Sequence, residues 1–210
     1  MMDMPSVEPY SAADLRRRVE RRKLAADDDW GDHRANPELR HLIVREGLRD
    51  AAVLIPVVDH ADGASVILTK RTEKLRHHSG QVAFPGGRID PTDASAEDAA
   101  LRETEEEIGL DRSFIEVIGR LPDYVSGSGF RVAPVLGIVH PGFLLTINED
   151  EVDDAFEVPL RFIMDAANHN KESREWQGHI RRYYAMPYGD RYIWGLTAGI
   201  IRMLYERLYA

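Results

Sequence analysis

Four glutamates fall within five residues near the middle of the chain, and three of them are considered together: Glu103, Glu106 and Glu107. Their i, i+3, i+4 spacing places them on one face of a helix. Like charges at this spacing repel one another, and a bound divalent cation would remove that cost. Carboxylate oxygens suit Mg²⁺ or Mn²⁺, which commonly bridge phosphate oxygens of a substrate. The spacing therefore predicts a magnesium or manganese site for phosphate chemistry; the simpler alternative is a solvated acidic helix face.

The helix that carries these glutamates has recognisable start and stop signals. Ser95, with Asp98 three residues later, is typical of a capping box, and Gly109 suits the position just after a helix. The predicted helix spans 95–108. Residues expected to face the core recur at i, i+3 and i+7: Leu101, Thr104 and Ile108. Glu105 lies on the remaining, solvated face.

Residues 87–110 resemble the signature of the Nudix hydrolases, Gly-x5-Glu-x7-Arg-Glu-U-x-Glu-Glu-x-Gly-U, in which U is aliphatic. The second half matches, with Thr104 at the first aliphatic position. The first half is one residue longer between Gly87 and Arg102, and Asp93 stands where glutamate is expected. No role is carried over to Asp93. The resemblance implies that the divalent metal is bound by the Gly87 carbonyl and by Glu103, Glu106 and Glu107.

Residues 67–87 resemble a further signature, that of the coenzyme A pyrophosphatase subgroup, Leu-Leu-Thr-x-Arg-Ser-x3-Arg-x3-Gly-x3-Phe-Pro-Gly-Gly. Ile67 and Thr72 are conservative departures. Arg71 and Arg76 match the two arginines, whose planar guanidinium groups suit phosphate recognition. Coenzyme A carries a 3′-phosphate besides its diphosphate, so both arginines are expected to bind substrate. The alternative is a pair of surface arginines in an acidic protein.

Three later residues complete the candidate site. Ser128 and Phe130 belong to a glycine-rich stretch where the subgroup has a Ser-Gly-Phe segment, which favours ligand contact over a merely flexible connection. Glu151 matches an acid of the subgroup and is one candidate for the general base; Glu103 is the other. Arg102 is expected to orient a glutamate through a charge-assisted hydrogen bond.

Composition limits the broad class of the protein. The chain has 210 residues, 43% of them hydrophobic, which suffices for one domain with a sizeable core. A net charge of −9 argues against general nucleic-acid affinity, so a small anionic substrate must be met by local cations or metal. The absence of cysteine excludes disulfides, zinc–thiolate sites and a thiol nucleophile. No transmembrane run or signal-peptide region is evident, so a cytoplasmic location without membrane partners is expected, and the oligomeric state stays open.

The pattern along the chain predicts an N-terminal helical extension over 1–36, and the resemblance implies a Nudix hydrolase domain over 37–210. Ser11 with Asp14 can cap a helix that runs to about Ala26. The basic cluster of this helix predicts a solvated helix beside the domain. Contact with a membrane surface or a polyanion is the alternative.

The remaining elements alternate short strands with helices. Strands are predicted at 51–58, 65–69, 81–84, 114–121, 131–139, 156–160, 180–186 and 191–194. An acidic loop over 148–154 and a final helix over 197–208 are predicted, with His169 and His179 on surface loops. This alternation predicts an α/β fold with a mixed sheet between helices, and the resemblance implies the single-domain Nudix α/β/α sandwich.

The leading functional hypothesis is metal-dependent hydrolysis of the diphosphate of coenzyme A or its acyl derivatives. The products would be 3′,5′-ADP and (acyl-)4′-phosphopantetheine. One alternative keeps the chemistry and changes the substrate, for example to ADP-ribose. The other is a nucleotide-binding module without turnover.

Overall fold

Strands and helices alternate in the computed structural model, which describes residues 7–22, 29–74 and 78–210. The strands are β1 (Trp30–Gly31), β2 (Arg49–His60), β3 (Gly63–Arg71), β4 (Val82–Ala83), β5 (Gly86–Arg88), β6 (Ile115–Arg120), β7 (Tyr124–Val125), β8 (Phe130–Val139), β9 (Val152–Pro159), β10 (Asn170–Trp176), β11 (His179–Tyr188) and β12 (Arg191–Trp194). The helices are α1 (Ala12–Arg22), α2 (Arg40–Ile43), α3 (Ala96–Ile108), α4 (Leu160–Ile163) and α5 (Gly195–Leu208). Among these described helices, none is both long and apolar enough to cross a membrane.

Within the described residues, nine strands form a mixed sheet whose main path runs β1-β7-β8-β2-β3-β4. Its centre is the parallel pair β2 and β8, in register from Arg49↔Phe130 to Val58↔Val139. β3 returns antiparallel to β2 through a tight turn that pairs His60 with Gly63. β5, β6 and β9 pair with β2, β8 and β3, respectively. The predicted mixed sheet is confirmed.

Alternation along β2 builds a hydrophobic layer on each face of the sheet. Ala52 and Leu54 pack on one face with Ala99 and Ala100 of α3. Residues of the opposite parity, such as Ile55, enter a cluster on the other face that includes side chains of α1 and α5. Each fully buried Leu or Ile stabilises the fold by about 1.5–3 kcal/mol. The result is the predicted α/β/α sandwich, with α3 as one outer layer.

A smaller antiparallel sheet, β10-β11-β12, lies beside α5. The strands predicted at 180–186 and 191–194 are confirmed as β11 and β12, which pair as a hairpin with Met186 opposite Ile193. Strand β10 was not predicted from the sequence. Its residues are polar and mostly exposed, so they show no alternation of apolar and polar residues that would indicate a strand. The prediction of a loop over 148–154 was wrong at its C-terminal end. Val152–Pro159 already forms a strand, which pairs with β3.

The N-terminal helix begins as predicted and packs against the domain. The Asp14 amide donates to Ser11 Oγ at 3.1 Å, and Leu15 is completely buried. Residues 23–28 lie outside the described part, so the predicted end near Ala26 is not covered. Arg16 pairs with Glu116 at 2.5 Å, and the next two arginines both bond Asp14. These three cations are thus engaged with the chain's own carboxylates; the boundary between 36 and 37 stays a prediction.

The expectation that His169 lies on a surface loop was wrong. Its side chain is buried, with Nε2 2.7 Å from the Ile163 carbonyl oxygen and its ring edge-on to Tyr205. Burial lowers the pKa of His169, and the charge of Arg202 acts in the same direction. His179 is exposed, but on strand β11.

Candidate active site

Helix α3 begins and ends at the residues that the sequence indicates. The Asp98 amide donates to Ser95 Oγ at 3.1 Å, and Asp98 Oδ2 accepts from the Ala94 amide at 3.3 Å. Gly109 ends the helix in the left-handed conformation, at φ 65°. Its backbone also packs against Thr146, which leaves no space for a side chain. Both ends of α3 are therefore fixed, and this fixes the direction in which its glutamates point.

The Gly-Gly strand β5 lies directly against two of the glutamates. The Gly86 amide donates to Glu107 Oε2 at 3.1 Å. A Cβ added to Gly87 would lie 2.3 Å from Glu103 Oε2. Glycine at these two positions lets the backbone approach both carboxylates closely.

Glu107 is the most deeply buried of the glutamates, with 2% of its side chain exposed. Its Oε1 accepts from Arg71 Nη1 at 3.2 Å. Burial raises the pKa of Glu107 to about 7, although the Gly86 amide and the charge of Arg71 act in the opposite direction. The nearby carboxylates of Glu151 and Glu103 raise it further. Burial and the neighbouring carboxylates therefore both disfavour the charged form of Glu107.

Arg102 connects three carboxylates. Its guanidinium group donates to both carboxylate oxygens of Asp93, from Nε to Oδ1 and from Nη2 to Oδ2, each at 2.9 Å. Its Nη1 donates to Glu103 at 2.9 Å and to Glu106 at 3.0 Å. These contacts have the geometry expected of a residue that orients Glu103 and Glu106.

Asp93 belongs to this network, although sequence reasoning assigned it no role. The paired Arg102, helped by a backbone bond to Asp90, lowers the pKa of Asp93 to about 2. The signal was its place at the glutamate position of the Nudix signature. The extra residue before Arg102 obscured that signal, because a loop can absorb one residue without moving the carboxylate away from its partner.

The acidic loop brings Glu151 towards the same glutamates. The Asn148 amide donates to the Glu107 carbonyl at 2.9 Å, which docks the loop on the end of α3. The Thr72 amide donates to the Glu151 carbonyl at 3.0 Å. The charge of Glu151 raises the pKa of both Glu103 and Glu107. Glu151 is thus close enough to act on the candidate site electrostatically.

Ser128 and Phe130 do not lie beside the glutamates. Phe130 pairs with Arg49 of β2, whereas Gly87 pairs with Ala52 on the other side of that strand. The offset is about 10 Å along the strand and about 10 Å across it. Ser128 Oγ is bonded to Ser126 at 2.9 Å. These residues can therefore meet only a remote part of an extended substrate; Arg76 lies outside the described residues.

The donor chemistry of the glutamate face fits a hard divalent cation. All predicted ligands, Glu103, Glu106, Glu107 and the Gly87 carbonyl, are oxygen donors, and a cation beside Glu107 would offset the burial that raises its pKa. Within the described residues, however, no three acidic or histidine side chains converge as a ready metal-binding group. Arg102 holds two of the carboxylates and Arg71 the third.

Comparison with protein families identifies the surrounding domain. A family model described as the NUDIX domain matches residues 48–177, more than half of the chain. The chain belongs to the Nudix family. The matched segment includes β5, α3 and Glu151, so the whole glutamate site lies inside the Nudix domain.

Similar proteins extend the match beyond that segment. The protein named "Uncharacterized Nudix hydrolase NudL" from Escherichia coli (strain K12) is 44% identical over 188 residues, covering 89% of this chain and 96% of the relative. The protein of that name from Shigella boydii serotype 4 is 43% identical over the same length. This Nudix chain is therefore a hydrolase of a family that acts on nucleoside diphosphate derivatives and generally uses divalent metal ions.

A solved structure supports the Nudix fold. The Nudix domain of Shewanella oneidensis NrtR, crystallised with ADP-ribose, aligns with a TM-score of 0.50 at 18% identity. The alignment covers 84% of this chain and 97% of that one. At this identity the similarity concerns the fold alone.

Proposed function

We propose that this Nudix hydrolase cleaves the diphosphate of coenzyme A or acyl-coenzyme A, giving 3′,5′-ADP and (acyl-)4′-phosphopantetheine. One observation carries the proposal: Arg71 of the coenzyme A signature lies 3.2 Å from Glu107 of the Nudix signature. The two sequence motifs therefore contribute to one site. A guanidinium group beside the glutamates suits a substrate with three phosphate groups.

In this proposal, different residues of the site bind the metal, position the ligands and accept a proton. Glu103, Glu106, Glu107 and the Gly87 carbonyl would hold a divalent ion, which would supply neutralisation of phosphate charge and polarisation of water. Arg102 keeps Glu103 and Glu106 in position. Either Glu103 or Glu151 accepts the proton of the attacking water; burial raises the pKa of Glu103, which brings its basicity closer to neutral pH.

Two alternatives to this proposal are hydrolysis of ADP-ribose and nucleotide binding without turnover. ADP-ribose is bound by the NrtR domain, but it lacks the 3′-phosphate that the arginine signature would recognise. A binding module without turnover would be expected to lose glutamates of the signature. Here all three remain, together with the arginine that contacts two of them. Hydrolysis of coenzyme A is therefore the preferred function.

A substrate panel tests the proposal. Purified protein with Mg²⁺ is incubated separately with coenzyme A, acetyl-coenzyme A and ADP-ribose, and the products are identified by mass spectrometry. We expect 3′,5′-ADP from both coenzyme A substrates and no product in excess chelator. A higher kcat/KM on ADP-ribose would assign the enzyme to the other substrate class, and no turnover of any substrate would favour the binding module.

Replacing Arg71 with alanine is expected to separate two contributions of this residue. Loss of its contact with Glu107 lowers kcat on every substrate. Loss of a charged hydrogen bond to the 3′-phosphate raises KM by about tenfold to a hundredfold for coenzyme A, but not for dephospho-coenzyme A. Steady-state kinetics on both substrates measure the split.

Lys70→Ala is the matched control, because it removes one positive charge from the adjacent position. Lys70 is half-exposed and its nearest carboxylate, Glu73, is 3.9 Å away. Kinetic parameters of this variant should stay within about threefold of the wild type. An equal rise of KM on both substrates in Arg71→Ala would mean that the arginine contacts the diphosphate or only supports Glu107.

A further inference from the structure

A cavity of about 330 Å³ lies between β1, the residues that follow it, strands β10 and β11, and one side of α5. Its lining includes Trp30, Arg34, Lys171 and Tyr184, and no residue of α3, β5 or the acidic loop. We propose that this cavity is a second binding site, for a nucleoside monophosphate or a similar planar ring that carries one phosphate. The proposal is independent of diphosphate hydrolysis.

The cavity has an excess of positive charge in a chain whose net charge is −9. Four cations and two carboxylates line it: Arg34, Lys171, Arg182, Arg202, Asp32 and Glu206. Both carboxylates are already paired. Asp32 accepts from Arg181 and from the Gly127 amide, and Glu206 accepts from Arg202 Nε at 2.6 Å.

Two of the cations are available to an anion. Within the described residues, Arg34 and Lys171 contact aromatic rings and have no carboxylate partner. The Arg34 guanidinium lies 3.8 Å from the centre of the Trp30 ring, and the Lys171 ammonium 5.9 Å from that of Tyr184. A phosphate in the cavity would not have to displace an ion pair to reach either charge.

Aromatic side chains and one unsatisfied donor indicate the rest of the ligand. Trp30 is 8% exposed, yet its indole N–H has no acceptor among the described residues. A buried donor of this kind costs free energy unless a ligand or water accepts from it. Purines offer both acceptor nitrogens and a flat face for contact with aromatic rings.

The size and position of the cavity narrow the ligand further. A volume near 330 Å³ is at the small end of ligand pockets, which favours a mononucleotide over a dinucleotide. The cavity also includes Gly195, the first residue of α5, where helix amide groups favour a negative charge. The lining residue Asp32 accepts from the Gly127 amide at 2.7 Å. The cavity therefore borders the loop that carries Ser128.

Calorimetric titration with adenosine 5′-monophosphate tests the site on the full chain in excess chelator. We expect binding to the wild type, weakened about tenfold or more in Arg34→Ala and in Lys171→Ala. Arg71→Ala, in the candidate active site, should bind as tightly as the wild type. Adenosine and inorganic phosphate should each bind at least about tenfold more weakly, because each lacks half of the recognised groups.

Both cavity variants change exposed side chains, so we expect them to fold and to melt at the wild-type temperature. Their hydrolytic activity without added nucleotide should equal that of the wild type. Binding that is lost in Arg71→Ala but retained in Lys171→Ala would place the nucleotide in the active site and overturn the proposal. Equal affinity for inorganic phosphate, or no binding at millimolar nucleotide, would also overturn it.

Discussion

Replacing Glu107 with glutamine is expected to lower kcat by about 10²–10⁴-fold, because a contact that stabilises charge in the transition state is lost. The fold should survive, since glutamine has nearly the same shape. Its amide oxygen can still accept from the Gly86 amide, which lies 3.1 Å from the native carboxylate. Steady-state kinetics at saturating Mg²⁺ measure the effect.

The same substitution should stabilise the protein in excess chelator at alkaline pH. The folded-state pKa of Glu107 is raised from 4.5 to about 7. The folded chain therefore holds this proton more tightly than the unfolded chain, and stability falls as pH rises from about 4.5 to 7. Glutamine avoids the buried charge, so the free energy of unfolding at pH 8 should rise by up to about 3 kcal/mol. Urea unfolding at pH 5 and pH 8 tests this difference.

Glu105→Gln provides the control on the same helix. Glu105 is exposed, and its nearest cation, Arg112, is 3.5 Å away. Its removal should change activity by less than about threefold. Wild-type activity in Glu107→Gln at saturating Mg²⁺ would contradict the assignment of the glutamate face as the metal site.

Replacing Gly87 with alanine should lower kcat by about 10²-fold, because a small misplacement of a catalytic group is enough for such a loss. The added Cβ would lie 2.3 Å from Glu103 Oε2, and the flexible carboxylate must move away. The three atoms nearest to the added Cβ all belong to this carboxylate, so the protein should fold. Circular dichroism and kinetics together separate the two effects.

Gly86→Ala is the comparison for Gly87→Ala, because its added Cβ would meet backbone atoms. Its Cβ would lie 2.4 Å from the Ala52 carbonyl oxygen and 2.6 Å from Val53 Cα, at φ 149°. Because backbone atoms cannot yield as a side chain can, this variant should lose about 3 kcal/mol or more of stability. A fully active Gly87→Ala would show that Glu103 does not need its present position.

Local signals predicted the elements that carry the site. Helix α3 follows from the cap at Ser95, the stop at Gly109 and the spacing of its buried residues, all within one segment. The long central strands follow from apolar runs. Strand β10 could not be predicted, because its polar residues gain a strand partner only from β11. The burial of His169 depends on Tyr205, which is remote in sequence.

The candidate site was predictable in composition and less so in geometry. Spacing alone placed Glu103, Glu106 and Glu107 on one face. The burial of Glu107 depends on β5 and Arg71, and the role of Asp93 depends on how a loop turns back to Arg102. Such contacts are set by tertiary structure, which no local pattern records.

Isotope labelling tests the central claim most directly. Acetyl-coenzyme A is hydrolysed with Mg²⁺ in ¹⁸O-labelled water, and the products are analysed by mass spectrometry. If water attacks phosphorus within the diphosphate, the label appears in a phosphate of 3′,5′-ADP or 4′-phosphopantetheine, and the acetyl group stays on the latter. Label in released acetate, with coenzyme A left intact, would identify a thioesterase and contradict the account.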